Sequence, residues 1–219
     1  MSKKKKGKKG RKEAFDPEKD TGILRPVDMT IAAGEINDRY SDYPSRGLNP
    51  VKLASILRDA DEGNVRSQME LFEEMEEKDA HLFSQMQTRK LAVTGLDWEV
   101  QPFSPDDGQD KAIAEWIKDQ LLGIENLDDI LTDLLDAIGK GVSIMEIIWG
   151  VDSDDFDVIE DIRYVHQKKL VWDWETDDML VCTEQFPNGI HLPKNKFVVH
   201  RYKAKSGHPS RAGIMRIVS

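Results

Sequence analysis

Apolar residues begin to recur at helical spacing at Asn49-Pro50, where an Asx residue followed by Pro at the first helical position marks a helix start. Leu53, Ala54, Leu57 and Ala60 form one stripe, and Gly63-Asn64 ends that helix and caps the next. The second helix runs through Met69, Leu71, Phe72 and Met75. Asp79 caps a continuation bearing Leu82, Phe83, Met86 and Val93, so the pattern predicts a long helical arm with a solvated acidic face. Thr94-Gly95 stops it. Leu96 to Val100 then alternates apolar with polar, the signature of a half-buried strand closed by Pro102 and Pro105.

Two more helices are expected. Ile113, Trp116, Ile117 and Leu121 give one its stripe, while Leu127, Ile130, Leu131, Leu134, Leu135 and Ile138 recur at i, i+3, i+4, i+7, i+8 and i+11 in the other. Gly139 and Gly141 end it. VSIMEIIWGV, Val142 to Val151, has the β-branched content and length of a strand buried on both faces. Short strands are predicted at Phe156 to Val165, Leu170 to Trp174, Met179 to Thr183 and Phe197 to Tyr202. Helices first and mostly antiparallel strands afterwards give an α+β class rather than a βαβ repeat. RAGIMRIVS opens a helix with a stripe at Ile214 and Ile217 or Val218 and carries no capping or closing turn, so an incomplete element and a sticky isolated chain are expected.

Charge divides the chain where hydrophobicity does. The 219 residues carry 31 Lys and Arg against 41 Asp and Glu, a net charge of −10. Residues 1 to 12 hold seven Lys and one Arg with no acid, leaving 23 bases against 41 acids, a net −18, over residues 13 to 219. Residues 1 to 47 therefore read as a basic flexible arm, in which only ILRPV and MTIAA could dock on a body, and residues 48 to 219 as one domain. The arm is either a solvated extension or a phosphate contact through Lys3, Lys4, Lys5, Lys6, Lys8, Lys9, Arg11 and Lys12. Its basic run leads into EAFDPEKDTG and not into the apolar core of about 7–15 residues of a secretory signal, so a cytoplasmic protein is expected. Val142 to Val151, interrupted by Glu146, is about half the roughly 20 residues that span a bilayer, so no membrane partner is expected.

Catalytic chemistry finds few footholds. One cysteine, Cys182, excludes an internal disulfide and a cysteine zinc site. DSDDFD, Asp152 to Asp157, fails as a calcium loop because Asp157 stands where Gly is required and Arg163 where Glu is required; it reads as an acidic surface turn, with a metal site as the alternative. The histidines His81, His166, His191, His200 and His208 show no HExxH spacing; His200, in FVVHRY, fits a satisfied imidazole better than a ligand or base. Phosphate loops, nucleophile elbows and cysteine nucleophile signatures are absent. Glu146, among apolar strand neighbours, must be paired with an Arg or a backbone amide, or else be a raised-pKa catalytic acid. The tryptophans at 98, 116, 149, 172 and 174 lie among acids and are assigned to core packing over base stacking. No catalytic residue, cofactor or metal is expected.

Three motifs in order carry a resemblance. Asn49 to Val100, a helix, a Gly-Asn break and a helix ending in Arg-Lys before a Trp-containing segment, places Asp79, His81, Leu82, Arg89, Lys90 and Trp98 as the portal proteins of Mu-like phages and prophages do. GKGVSIMEIIW resembles that family's Gly-x-Ser-x-x-Glu-x-x-Trp strand, with Gly141, Ser143, Glu146 and Trp149 in register. LPKNKFVVHRYKAKSGHPSRAGIMR supplies the third, with His200, Gly207, Pro209, Arg211, Gly213 and Arg216. The resemblance covers nearly all of residues 48 to 219 and implies a portal-like structural subunit, not a catalyst. It implies a ring, typically of twelve, at one vertex of the phage head, passing double-stranded DNA and docking the terminase large subunit and head-completion proteins. Location in the virion, or in the host cytoplasm during assembly, follows. In the family the chain continues past the third motif, so this one is expected to be truncated. The alternatives are a nucleic-acid-binding adaptor using the basic arm and a metal-dependent hydrolase built on Asp152 to Asp157.

Overall fold

The computed structural model describes residues 30–33, 43–153, 156–173, 175–203 and 206–219. Asn49 caps the first helix, α1 (Pro50–Asp61), by accepting the Lys52 amide on its side chain at 2.9 Å. Its inward stripe is turned by a residue from the expected one: Ile56 and Ala60 are buried, Leu53 and Leu57 are half-buried, and Ala54 faces solvent. Gly63 ends the helix in a left-handed conformation, φ +99°, where a Cβ would lie 2.3 Å from the Trp172 carbonyl oxygen. Only Gly permits both.

Helices α2 (Arg66–Lys78) and α3 (Ala80–Thr94) are separated by Asp79, whose carboxylate accepts the amides of His81 and Leu82. Met69, Leu71 and Phe72 of α2 are buried as expected, whereas α3 commits only Met86 and Lys90 to the interior. Leu96 to Val100 is not a strand. It is irregular chain with Leu96 and Trp98 exposed, because alternation needs a neighbouring edge to pair with and among the described residues no strand pairs with it. Helix α4 (Gly108–Leu122) forms where its stripe predicts, but it buries Ala114 and leaves Ile113, Trp116 and Ile117 exposed.

The single helix expected from Leu127 to Ile138 is broken. α5 (Leu127–Leu134) and α6 (Ala137–Lys140) are joined by turns in which Ile138 donates to Leu135 at 2.9 Å and Gly139 to Asp136 at 3.1 Å, the tighter i+3 spacing. Gly139 lies within α6, and Gly141, at φ +94°, ends it. Strand β1 (Val142–Val151) follows with the predicted bounds and pairs antiparallel with β2 (Asp157–Val165) and β6 (Phe197–Arg201), in the order β2-β1-β6. Its two faces enter different apolar clusters. Val142 and Ile144 pack with Met69, Phe72, Trp172 and Met215, while Met145 packs with Ile124 and Ile130.

A second antiparallel sheet has the order β3 (Leu170–Trp172), β4 (Met179–Val181), β5 (Ile190–His191); β5 had no sequence signal. Short 3-10 turns at Gln167–Lys169 and Pro209–Arg211 lead into β3 and toward α7 (Met215–Val218), which buries Met215 and exposes Ile217 and Val218. Mixed helices with two small antiparallel sheets fit the α+β class. Among the described residues no helix is long and apolar enough to cross a membrane.

Candidate functional site

Several of the motif residues gather at four junctions, of which the first and third involve β1 and the turn that leads into it. At the first, Gly213 lies so close to the end of α6 that a Cβ on it would sit 2.2 Å from the Gly139 carbonyl oxygen and 2.6 Å from the Gly141 nitrogen. A Cβ on Gly141 would in turn meet the Pro209 oxygen at 2.8 Å and the Gly213 nitrogen at 2.9 Å. Ile214 donates to the Ile138 carbonyl at 3.1 Å and Tyr202 to the Gly141 carbonyl at 3.0 Å, so the second and third motifs are joined backbone to backbone. Gly207 meets no neighbour; its φ of +122° is what calls for glycine there.

The second junction ties the third motif to α1 and α2. Arg211 and Arg216 both donate to Asp61, Arg211 from Nε at 2.8 Å and Arg216 from Nη2 at 2.7 Å. Arg216 also donates to Gln68 Oε1 at 2.6 Å, and Gln68 donates to the Ser210 carbonyl at 2.9 Å. The Arg211 hydrogen bond, joined by the charge of Arg216, holds the Asp61 carboxyl below the usual range.

Paired residues of β1 and β6 make the third. Ser143 and His200 stand opposite each other, and Ser143 Oγ donates to the Asp133 carbonyl at 2.8 Å while His200 Nδ1 contacts the Leu134 carbonyl at 2.7 Å. Those are among the last carbonyls of α5, which the helix itself cannot satisfy. A carbonyl only accepts, so the His200 proton sits on Nδ1 and the ring serves as a helix-end partner. Trp149 Nε1 donates to the Asn195 carbonyl at 2.8 Å, and its ring is half-buried.

The fourth is a sunken charge network. Lys90 reaches Asp136 at 2.5 Å and Glu76 at 3.7 Å, and Lys140 reaches Asp136 at 2.7 Å. Burial pushes the Asp136 carboxyl up, but the two ammonium groups outweigh it and hold it below the usual range. Burial would lower Lys140, yet Asp136 keeps it above its ordinary value. Glu76 and Asp133 are raised, first by burial and then by the charge on Asp136. A hydrogen bond from His166, at 2.8 Å, holds Glu73 low. Glu73, Glu76, Asp133, Asp136 and Lys140 line an acidic hollow of about 550 Å³. Among the described residues no three His, Cys, Asp or Glu side chains are placed to hold a metal ion; Asp154 and Asp155 lie outside them.

Of the residues singled out from sequence, Lys90, Gly141, Glu146, His200, Gly213 and Arg216 meet at or beside these junctions, and Asp79 caps α3. Arg89 and Trp98 face solvent. For Trp98 and Trp116 the core-packing assignment fails, since both are more than two-fifths exposed; Trp172 is buried, and Trp174 lies outside the described residues. Lys3, Lys4, Lys5, Lys6, Lys8, Lys9, Arg11 and Lys12 also lie outside them. Asp61, Gln68, Asp136, Lys140 and Lys196 were not singled out. The i, i+4 spacing of Asp136 and Lys140 was a readable signal; the Asp61 pairings, spanning some 150 positions, left none.

A family model described as the portal protein of Mu bacteriophage matches residues 69–219. The chain belongs to this family. Mu-like prophage FluMu protein gp29 of Haemophilus influenzae is 35% identical over 180 residues, covering 81% of this chain and 34% of that protein. The portal protein of Escherichia phage Mu is 31% identical over 180 residues, covering 81% of this chain and 35% of its own length. The chain thus spans about a third of the length of these curated relatives. The Mu portal family match includes all four junctions, apart from Asp61 and Gln68.

Proposed function

We propose that this chain forms part of a portal subunit. Copies assemble into a ring, of twelve in the reading the family suggests, at one vertex of the phage head. The ring passes double-stranded DNA during packaging and ejection and docks the terminase large subunit and head and head-completion proteins. The observation that carries this is the family match over residues 69–219. The role is structural and uses no cofactor, and the fold is portal-like, an incomplete part of the family's α+β subunit at residues 48–219. The protein works at the head vertex of the virion, and in the host cytoplasm while heads assemble.

Charge supports the conduit. A body with a net −18 over residues 13–219 repels phosphates, which suits a wall past which DNA must slide. The basic run Lys3 to Lys12 is the proposed local contact to DNA or to an acidic partner. The adaptor reading makes that run the whole function, and the relatives lend it no support. Deleting residues 1–12 separates the two. The portal reading expects rings by electron microscopy of the assembled subunit with or without the deletion. Loss of DNA binding together with particles that are monomeric at every concentration would overturn it.

A further inference from the structure

Ile31–Ala33 lie in no helix or strand, yet they reach the middle of the molecule. The Glu146 carboxylate on β1 accepts all three of their amides, from Ala32 at 2.8 Å, from Ala33 at 2.7 Å and from Ile31 on the other oxygen. Lys169 Nζ donates to the Ala32 carbonyl at 2.9 Å. Ala32 is fully buried and Ala33 nearly so. Among the described residues no backbone–backbone hydrogen bond ties these three positions to the body. Among the described residues their hold rests on one carboxylate, one ammonium, two buried methyl groups and the half-buried Ile31 side chain against the core. Charge-assisted hydrogen bonds are the strong part of that set, and the methyl burial is the weak part.

The receiving site is assembled without them. Glu146 is fixed by antiparallel pairing to β2 and β6, and its carboxylate lies 3.6 Å from the Lys196 ammonium, both side chains without exposed surface. When the three amides withdraw, the carboxylate keeps a counter-ion, so departure does not strand an unpaired buried charge. The fit is selective, because side chains larger than methyl at positions 32 and 33 have no room in the core.

We propose that Glu146 is a latch: its carboxylate is a receptor for a short strap with two successive small residues, here Ile31–Ala33, and the strap docks and leaves without loss of the sheet. The inference stands independently of the portal reading. Native-state hydrogen exchange, followed by NMR on the full chain, tests it by comparing the Ile31, Ala32 and Ala33 amides with those of Val142 to Ile147. The strap amides are expected to be protected, but to exchange through a local opening faster than β1. Glu146→Gln, which also takes the carboxylate from the buried Lys196 ammonium, should accelerate the strap amides by roughly 10- to 100-fold relative to those of β1. Ala32→Asp, which leaves the receptor intact, should do the same, and it decides the matter if Glu146→Gln does not fold. Equal exchange of strap and β1 in the unaltered chain would overturn the latch. So would undiminished strap protection in either folded variant, or loss of β1 protection in Ala32→Asp, which would make the strap an ordinary piece of core.

Discussion

Gly213 shows how much one absent side chain can carry. Its Cα faces the last turn of α6 closely enough that a methyl group would overlap the Gly139 carbonyl at 2.2 Å, and the obstacle is backbone, which cannot rotate aside. Gly108, at the start of α4, has open space where its Cβ would be and no left-handed φ. Gly213→Ala is therefore expected to cost about 1–3 kcal/mol or more, read as a lower urea midpoint, while Gly108→Ala leaves the midpoint within about 0.5 kcal/mol of the parent. Equal effects at the two positions would contradict the packing described. Glu146 makes the complementary point. Its burial among apolar neighbours was legible from sequence, and pairing with backbone amides was one of the readings; that the amides belong to Ile31–Ala33 depended on a contact across more than a hundred positions.

At the scale of elements, Asp136 and Glu76 draw α2, α3 and the α5–α6 break together, and their titrations run in opposite directions. Asp136 has a depressed folded value, so its contribution is complete above the range of a free carboxylate and is lost as pH falls through that depressed value. Glu76 has a raised folded value, so its ionisation opposes folding near neutrality, and the opposition is relieved as pH drops through that raised value. Asp136→Asn should destabilise the protein at pH 7 by roughly 3–5 kcal/mol, since two buried ammonium groups lose their partner, with the deficit shrinking in acid. Glu76→Gln should raise the midpoint at pH 7 and confer no advantage at about pH 3, below both carboxyl values. Chemical denaturation across pH checks both signs. The same pair marks where sequence reading stops. Strand β1 was legible to the residue because burial on both faces needs only a local apolar run, and α2 because its stripe faces one core. The break at Leu135–Asp136 was not, because a 3.6-residue period does not reveal that a half-buried Asp must also meet Lys90 of α3, 46 positions earlier. Leu96 to Val100 failed for the converse reason: its alternation is real, but among the described residues no edge receives it.

The molecule as a whole pairs an acidic body with a basic amino-terminal run, and the second and third of the ordered motifs that suggested a portal from sequence meet at β1 and the end of α6. Family membership rests on the match over residues 69–219 and on relatives of which this chain spans about a third. The portal role makes a spatial claim that oligomeric state alone does not: the protein must occupy one place on the head. Immunogold labelling of purified phage heads carrying an epitope-tagged copy of this chain measures that directly. The account predicts a single focus of label at one vertex of each head. Heads without label, or label spread evenly over the shell, would contradict it.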